Sequence, residues 1–134
     1  MATAKRMTYF KTTVDDQPGA LLALAADLKE KGLALVGLKG VAQGQHGDVL
    51  VIPKNPDKLR IDWKARGMLV EEGTLFFLSG TDTTGALVAS LDALTKVGVN
   101  IVAIEAGAVG TRFGAFLWVA PGDVDKTAEI LGAK

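Results

Sequence analysis

Asp16-Gln17-Pro18-Gly19-Ala20-Leu21 decides the reading of this chain, because it returns 66 positions later as Asp82-Thr83-Thr84-Gly85-Ala86-Leu87. The same offset matches Phe10 to Phe76, Ala23 to Ala89, Leu28 to Leu94 and Gly32 to Gly98. It also lays Leu33-Ala34-Leu35-Val36 on Val99-Asn100-Ile101-Val102. A period this long is a duplication of a whole supersecondary unit. The chain therefore reads as two similar modules, residues 1–72 and 73–134, and a site at one loop has a candidate twin at the other.

Working outward from the first loop, Met7 to Val14 is rich in Thr, Tyr, Phe and Val and predicts a strand. Leu21, Leu24, Ala25 and Leu28 recur at helical spacing, and Lys29-Glu30-Lys31-Gly32 is a basic, glycine-terminated stop. Leu33–Val41 and Asp48–Ile52 predict two strands around a glycine-containing loop. Asn55-Pro56-Asp57 can cap and open a second helix that turns Leu59 and Trp63 inward. Met68–Val70 predicts a short fourth strand, followed by a solvated turn at Glu71-Glu72-Gly73. The second module repeats the order. Thr74–Ser79 is a strand, and Ala86, Leu87, Leu91, Leu94 and Val97 mark a helix that Gly98 stops. Val99–Ala106 and Phe113–Val119 are strands, and Asp123 opens a last helix carrying Val124, Thr127, Ala128 and Leu131. No residues remain for a closing strand, so Met68–Val70 or a second subunit is expected to cover that edge. The fold class is α+β: tandem ferredoxin-like βαββαβ sandwiches, with helices on one face of an antiparallel sheet.

Composition removes several function classes. The 134 residues carry 15 Lys+Arg against 15 Asp+Glu, an even mixture without the basic stripe of a nucleic-acid binder. There is no cysteine, which excludes disulfide, thiolate-metal and cysteine-nucleophile chemistry. The opening residues lack the apolar stretch of a signal peptide, and no run is long enough to span a membrane, so the expectation is a cytoplasmic protein.

The quoted residues resemble the ACT domain family of small regulatory modules. The first half supplies Asp16, Pro18, Gly19 and Leu21, but has Gly32-Leu33-Ala34-Leu35 where the family pattern has an Asn. The second half has Thr84 in place of Pro and keeps Asp82, Gly85, Leu87 and Gly98-Val99-Asn100-Ile101. The resemblance runs from about Met7 to Leu131. It implies an amino-acid ligand held by these loops where two modules meet. A homo-oligomer, most simply a dimer, is expected where a second subunit covers the vacant edge.

The loop chemistry points the same way on its own terms. The first N–H groups of a helix lack internal partners and sit at the positive end of its dipole, so they suit a carboxylate. An Asp beside them suits an ammonium group. The candidate ligand-binding residues are Asp16, Gln17, Gly19, Ala20 and Leu21 in the first loop, with Asp82, Thr84, Gly85, Ala86 and Leu87 in the second. Asn100 joins them from the following strand. A second role competes at the aspartates, since either can instead cap its own helix. Arg112 can clamp a carboxylate but reads first as an exposed hairpin residue. His46, the only histidine, has no partner set for metal or triad chemistry. No cofactor is expected. The leading function is a non-catalytic sensor of a small ligand. The alternatives are a small oligomeric enzyme with a pocket on the open sheet face, and a ligand-free assembly module.

Overall fold

A computed structural model describes residues 2–134. Its strands are β1 (Thr3–Asp15), β2 (Leu35–Gln43), β3 (His46–Pro53), β4 (Glu71–Gly80), β5 (Ile101–Val109) and β6 (Arg112–Val119). The helices are α1 (Ala20–Glu30), α2 (Pro56–Ala65), α3 (Thr83–Lys96) and α4 (Val124–Leu131), the last preceded by a 3-10 turn at Pro121–Asp123. The class is α+β, and the strand pairs of known register are antiparallel.

The chain forms two compact units, and β1 contributes to both. Thr8–Gly73 make the first-repeat unit. Its strands run β2-β3-β1, with Phe10 opposite Val51 and Val51 opposite Leu38. Alternation puts Phe10, Val49 and Val51 on the face that receives Leu24 and Leu28 from α1 and Leu59 and Trp63 from α2. Those helix pairs are each spaced by four residues, one turn, which is why the periodicity was readable. Burying each such side chain contributes about 1.5–3 kcal/mol.

Thr74–Lys134 make the second-repeat unit together with the residues up to Met7. Its strand order is β1-β4-β6-β5. Phe76 lies opposite Leu117, and Leu117 opposite Ile104, so each pair repeats the first unit's register at the same 66-residue offset. Even the irregularity recurs, between Leu35 and Gly37 in one hairpin and between Ile101 and Ala103 in the other. Phe76, Leu78, Ala115 and Leu117 pack with Ala86 and Leu94 of α3 and with Ala128 and Leu131 of α4. Both long helices end on equivalent bonds: Leu33 N–H donates to the Leu28 carbonyl and Val99 N–H to the Leu94 carbonyl, each at 3.0 Å.

Two expectations need correction. Met68–Val70 is not a strand. The chain leaves α2 in a turn at Arg66–Gly67, and Val70 N–H donates to the Lys11 carbonyl at 2.8 Å before β4 opens at Glu71. Glu71-Glu72-Gly73 is accordingly the start of β4 and not a free turn. Glu72 accepts two hydrogen bonds from Arg60, both at 2.8 Å, and Glu71 accepts one from the Tyr9 hydroxyl at 3.2 Å. The place beside β4 in the second-repeat unit is taken by the opening residues of β1. There Ala2 and Ala4 pack on the core, and Arg6 N–H donates to the Lys134 carbonyl at 3.3 Å.

Candidate functional site

The two duplicated loops are built differently. At the second, Asp82 is the N-cap of α3: its backbone is extended (φ −116°) and Oδ1 accepts the Gly85 N–H at 3.1 Å. The carboxylate lies so close over Gly85 that a methyl group there would overlap it. A side chain at Gly85 would make the Asp82 carboxylate shift, while the backbone there is ordinarily helical. At the first loop the equivalent Gly19 is itself the N-cap of α1, with φ +89° and no side-chain capping bond. A Cβ there would meet nothing, so the requirement at Gly19 is conformational. Capping therefore occupies Asp82 in part and Asp16 not at all.

Each loop borders a cavity within its own unit. The second-repeat cavity, about 450 Å³, lies between the end of β4, the start of α3, the start of β1 and the β5–β6 hairpin. Its polar groups come from Thr3, Ser79, Thr81, Asp82 and Arg112, and its apolar side chains are no larger than alanine. Arg112 enters because β6 runs antiparallel to β4, with Phe113 opposite Gly80, so the hairpin end stands beside the loop that follows β4. Among the described residues no ion pair engages Arg112.

The first-repeat cavity is about 130 Å³ and lies between the Asp15–Gln17 loop, the start of α1 and the β2–β3 hairpin. Asp15, Asp16 and Asp48 line it, with Val14, Leu21, Val41 and Val49 as its larger apolar side chains. Lys11 Nζ stands 3.5 Å from Asp48 Oδ2, and His46 Nε2 stands 3.7 Å from Asp48 Oδ1. No cationic side chain lines this cavity among the described residues.

The structure thus gathers Asp16, Gln17, Ala20 and Leu21 around one cavity and Asp82, Gly85 and Ala86 around the other. Gly19 and Thr84 are exposed beside them, and Leu87 packs partly against the core. Asn100 is not brought to either cavity. It lies past the far end of α3, a helix about 21 Å long at 1.5 Å per residue, where its N–H donates to Asp123 Oδ2 at 3.4 Å. Sequence reasoning did not single out Thr3, Ser79 and Thr81, which line the second-repeat cavity; Arg112 is exposed at the hairpin, as expected, and lines that cavity as well. The usable signal was the strand order, because an antiparallel β4–β6 pair must put the start of β6 beside the end of β4.

The shifted acids lie elsewhere, on the helix side of the first-repeat unit. Hydrogen bonding from Arg66, helped by its charge and that of Lys31, holds the Asp27 carboxyl below its ordinary 3.8. Arg60 does the same for Glu72, below 4.5. Burial, reinforced by Glu71, pushes the Tyr9 hydroxyl up. Among the described residues no group of three or more His, Asp or Glu side chains is arranged to hold a metal ion, and no helix is long and apolar enough to cross a membrane.

No protein-family model and no curated protein matches this chain. Solved structures do. Protein BT0572 from Bacteroides thetaiotaomicron superposes with a TM-score of 0.80 at 21% identity, over 98% of this chain and 88% of that one. The ligand-free regulatory subunit of aspartate kinase from Thermus thermophilus superposes with a TM-score of 0.63 at 14% identity, over 96% and 91%. The corresponding subunit from Thermus flavus gives 0.54 at 16% identity, over 98% and 94%. At these identities the likeness establishes the fold, an ACT-like, ferredoxin-like architecture shared with regulatory subunits.

Proposed function

We propose that this chain is a non-catalytic regulatory protein that senses an amino acid at its strand-to-helix loops. One observation carries the reading: the cavity at the β4–α3 junction is lined by both a carboxylate, Asp82, and a guanidinium, Arg112, that no ion pair engages among the described residues. Opposite charges on one cavity wall complement a zwitterion, with the α-carboxylate toward Arg112 and the α-ammonium toward Asp82. The hydroxyls of Thr3, Ser79 and Thr81 and the scarcity of large apolar lining suit a small polar side chain. Likeness to regulatory subunits of aspartate kinase supports a role in which binding shifts a partner assembly between states. In this reading the chain works as a homodimer, which light scattering tests.

The test of function is calorimetry against the twenty amino acids, with product analysis of each mixture after prolonged incubation. Binding of a small polar amino acid without turnover supports the sensor. Turnover favours an enzyme, and silence toward all twenty defeats the proposal.

A further inference from the structure

The duplicated loops are not duplicate sites. We propose that Arg112 on one cavity and Asp48 on the other decide which loop accepts a carboxylate, so that each chain has one carboxylate site, in the second-repeat unit, and the Asp16 loop rejects the same group. This rests on reading the loops as ligand sites and deepens it.

The argument compares equivalent positions. At the 66-residue offset, Arg112 corresponds to His46 and Gly114 to Asp48. Both pairs sit at the same register, since Gly80 faces Phe113 and Val14 faces Gly47. The exchange at the first pair puts a permanently charged guanidinium on the second-repeat cavity, while His46 does not line its own. The exchange at the second pair puts a carboxylate on the first-repeat cavity, where Asp48 joins Asp15 and Asp16. An entering carboxylate there meets three like charges, and Lys11 offsets only the one at Asp48. Volume acts in the same direction. Ligand cavities run from roughly 300 to 1,000 Å³; the second-repeat cavity, at about 450 Å³, lies inside that range and the first-repeat cavity, at about 130 Å³, below it.

The probes are acetate, which carries only the carboxylate, and glycine, which carries both charges. Each is titrated into the full chain while backbone amide and arginine side-chain resonances are followed. Acetate is expected to move Ser79, Thr81, Gly85 and Arg112 and to leave Gln17, Gly19 and Gly47 still. Arg112→Gln weakens the response about tenfold or more, the loss of one charged hydrogen bond. His46→Arg with Asp48→Gly creates a response at the first-repeat loop, and His46→Arg alone creates a smaller one. Equal responses at both loops overturn the proposal, as does an undiminished response in Arg112→Gln or no response at either loop. Failure of the sensor reading looks different: acetate still selects the second-repeat loop, but neither glycine nor any other amino acid binds more tightly than acetate.

Discussion

Asp82 has two separable jobs, and substitution can divide them. Replacing it with Ala removes the oxygen that accepts the Gly85 N–H at 3.1 Å and leaves that helix-start donor to water. Loss of an Asp N-cap costs about 1 kcal/mol, or roughly 4 °C in melting temperature for a chain of this size. Asp82→Asn keeps a capping oxygen and loses only the charge against the α3 dipole, about 0.3–1 kcal/mol. If the carboxylate also holds a ligand ammonium group, both variants lose that contact, about 1.5–3 kcal/mol, or roughly 10- to 150-fold in affinity. Asp16 is the internal control. It makes no capping bond, because Gly19 occupies the cap of α1, so Asp16→Ala is expected to stay within about 0.5 kcal/mol of the parent. The assay is urea unfolding for stability and calorimetry with the amino acid found to bind. The expected pattern is Asn stable but weakly binding, Ala destabilised and weakly binding, and Asp16→Ala unchanged in both. The reasoning fails if Asp16→Ala destabilises as much as Asp82→Ala, or if Asp82→Asn binds as tightly as the parent.

Three further outcomes are expected. Trp63→Ala, at a position with 0% exposure in the first-repeat core, costs about 3–5 kcal/mol by chemical denaturation; a loss below about 1 kcal/mol would contradict the packing described. Asp27 and Glu72 are held below 3.8 and 4.5 in the folded chain by Arg66 and Arg60, so their contribution is full above those values and falls away as pH drops through the lower folded ones. Asp27→Asn with Glu72→Gln should therefore flatten the acid side of the stability profile below about pH 4.5 and leave its slope near neutrality unchanged; an unaltered acid slope counts against those pairs. Deleting residues 1–7 removes the strand beside β4, the Arg6 N–H to Lys134 bond at 3.3 Å and the Arg6–Asp125 pair at 3.2 Å. Amide exchange should then accelerate at Phe76, Leu78 and Leu117 before it does at Val49 and Val51, and equal protection in both units would refute the role given to β1.

How much was legible follows the range of each interaction. The helices, their glycine stops and the paired hairpins came from local pattern: apolar residues at one-turn spacing, alternation along strands, and a repeat that carried the register of Leu38 with Val51 onto Ile104 with Leu117. Strand pairing across the chain was less visible. Met68–Val70 has strand-like residues, but Gly67 turns the chain just before them, and the residues up to Met7 hold the place beside β4. Apart from that turn, nothing local shows which segment lies beside β4, because the choice is made by the sheet neighbour each one meets.

By itself the sequence pointed to an α+β fold with a strand–helix–strand–strand–helix order repeated at a 66-residue offset, and its lack of cysteine left no thiol chemistry. Only the tertiary structure decided that Asp82 caps its helix while Asp16 does not, since a single backbone angle at Gly19 separates them. It also decided that Arg112 faces the cavity and its counterpart His46 does not. Periodicity records which face of an element is buried, and that survives in one dimension. The meeting of a hairpin end with a helix start depends on strands brought together from distant parts of the chain, and becomes visible only when they pair.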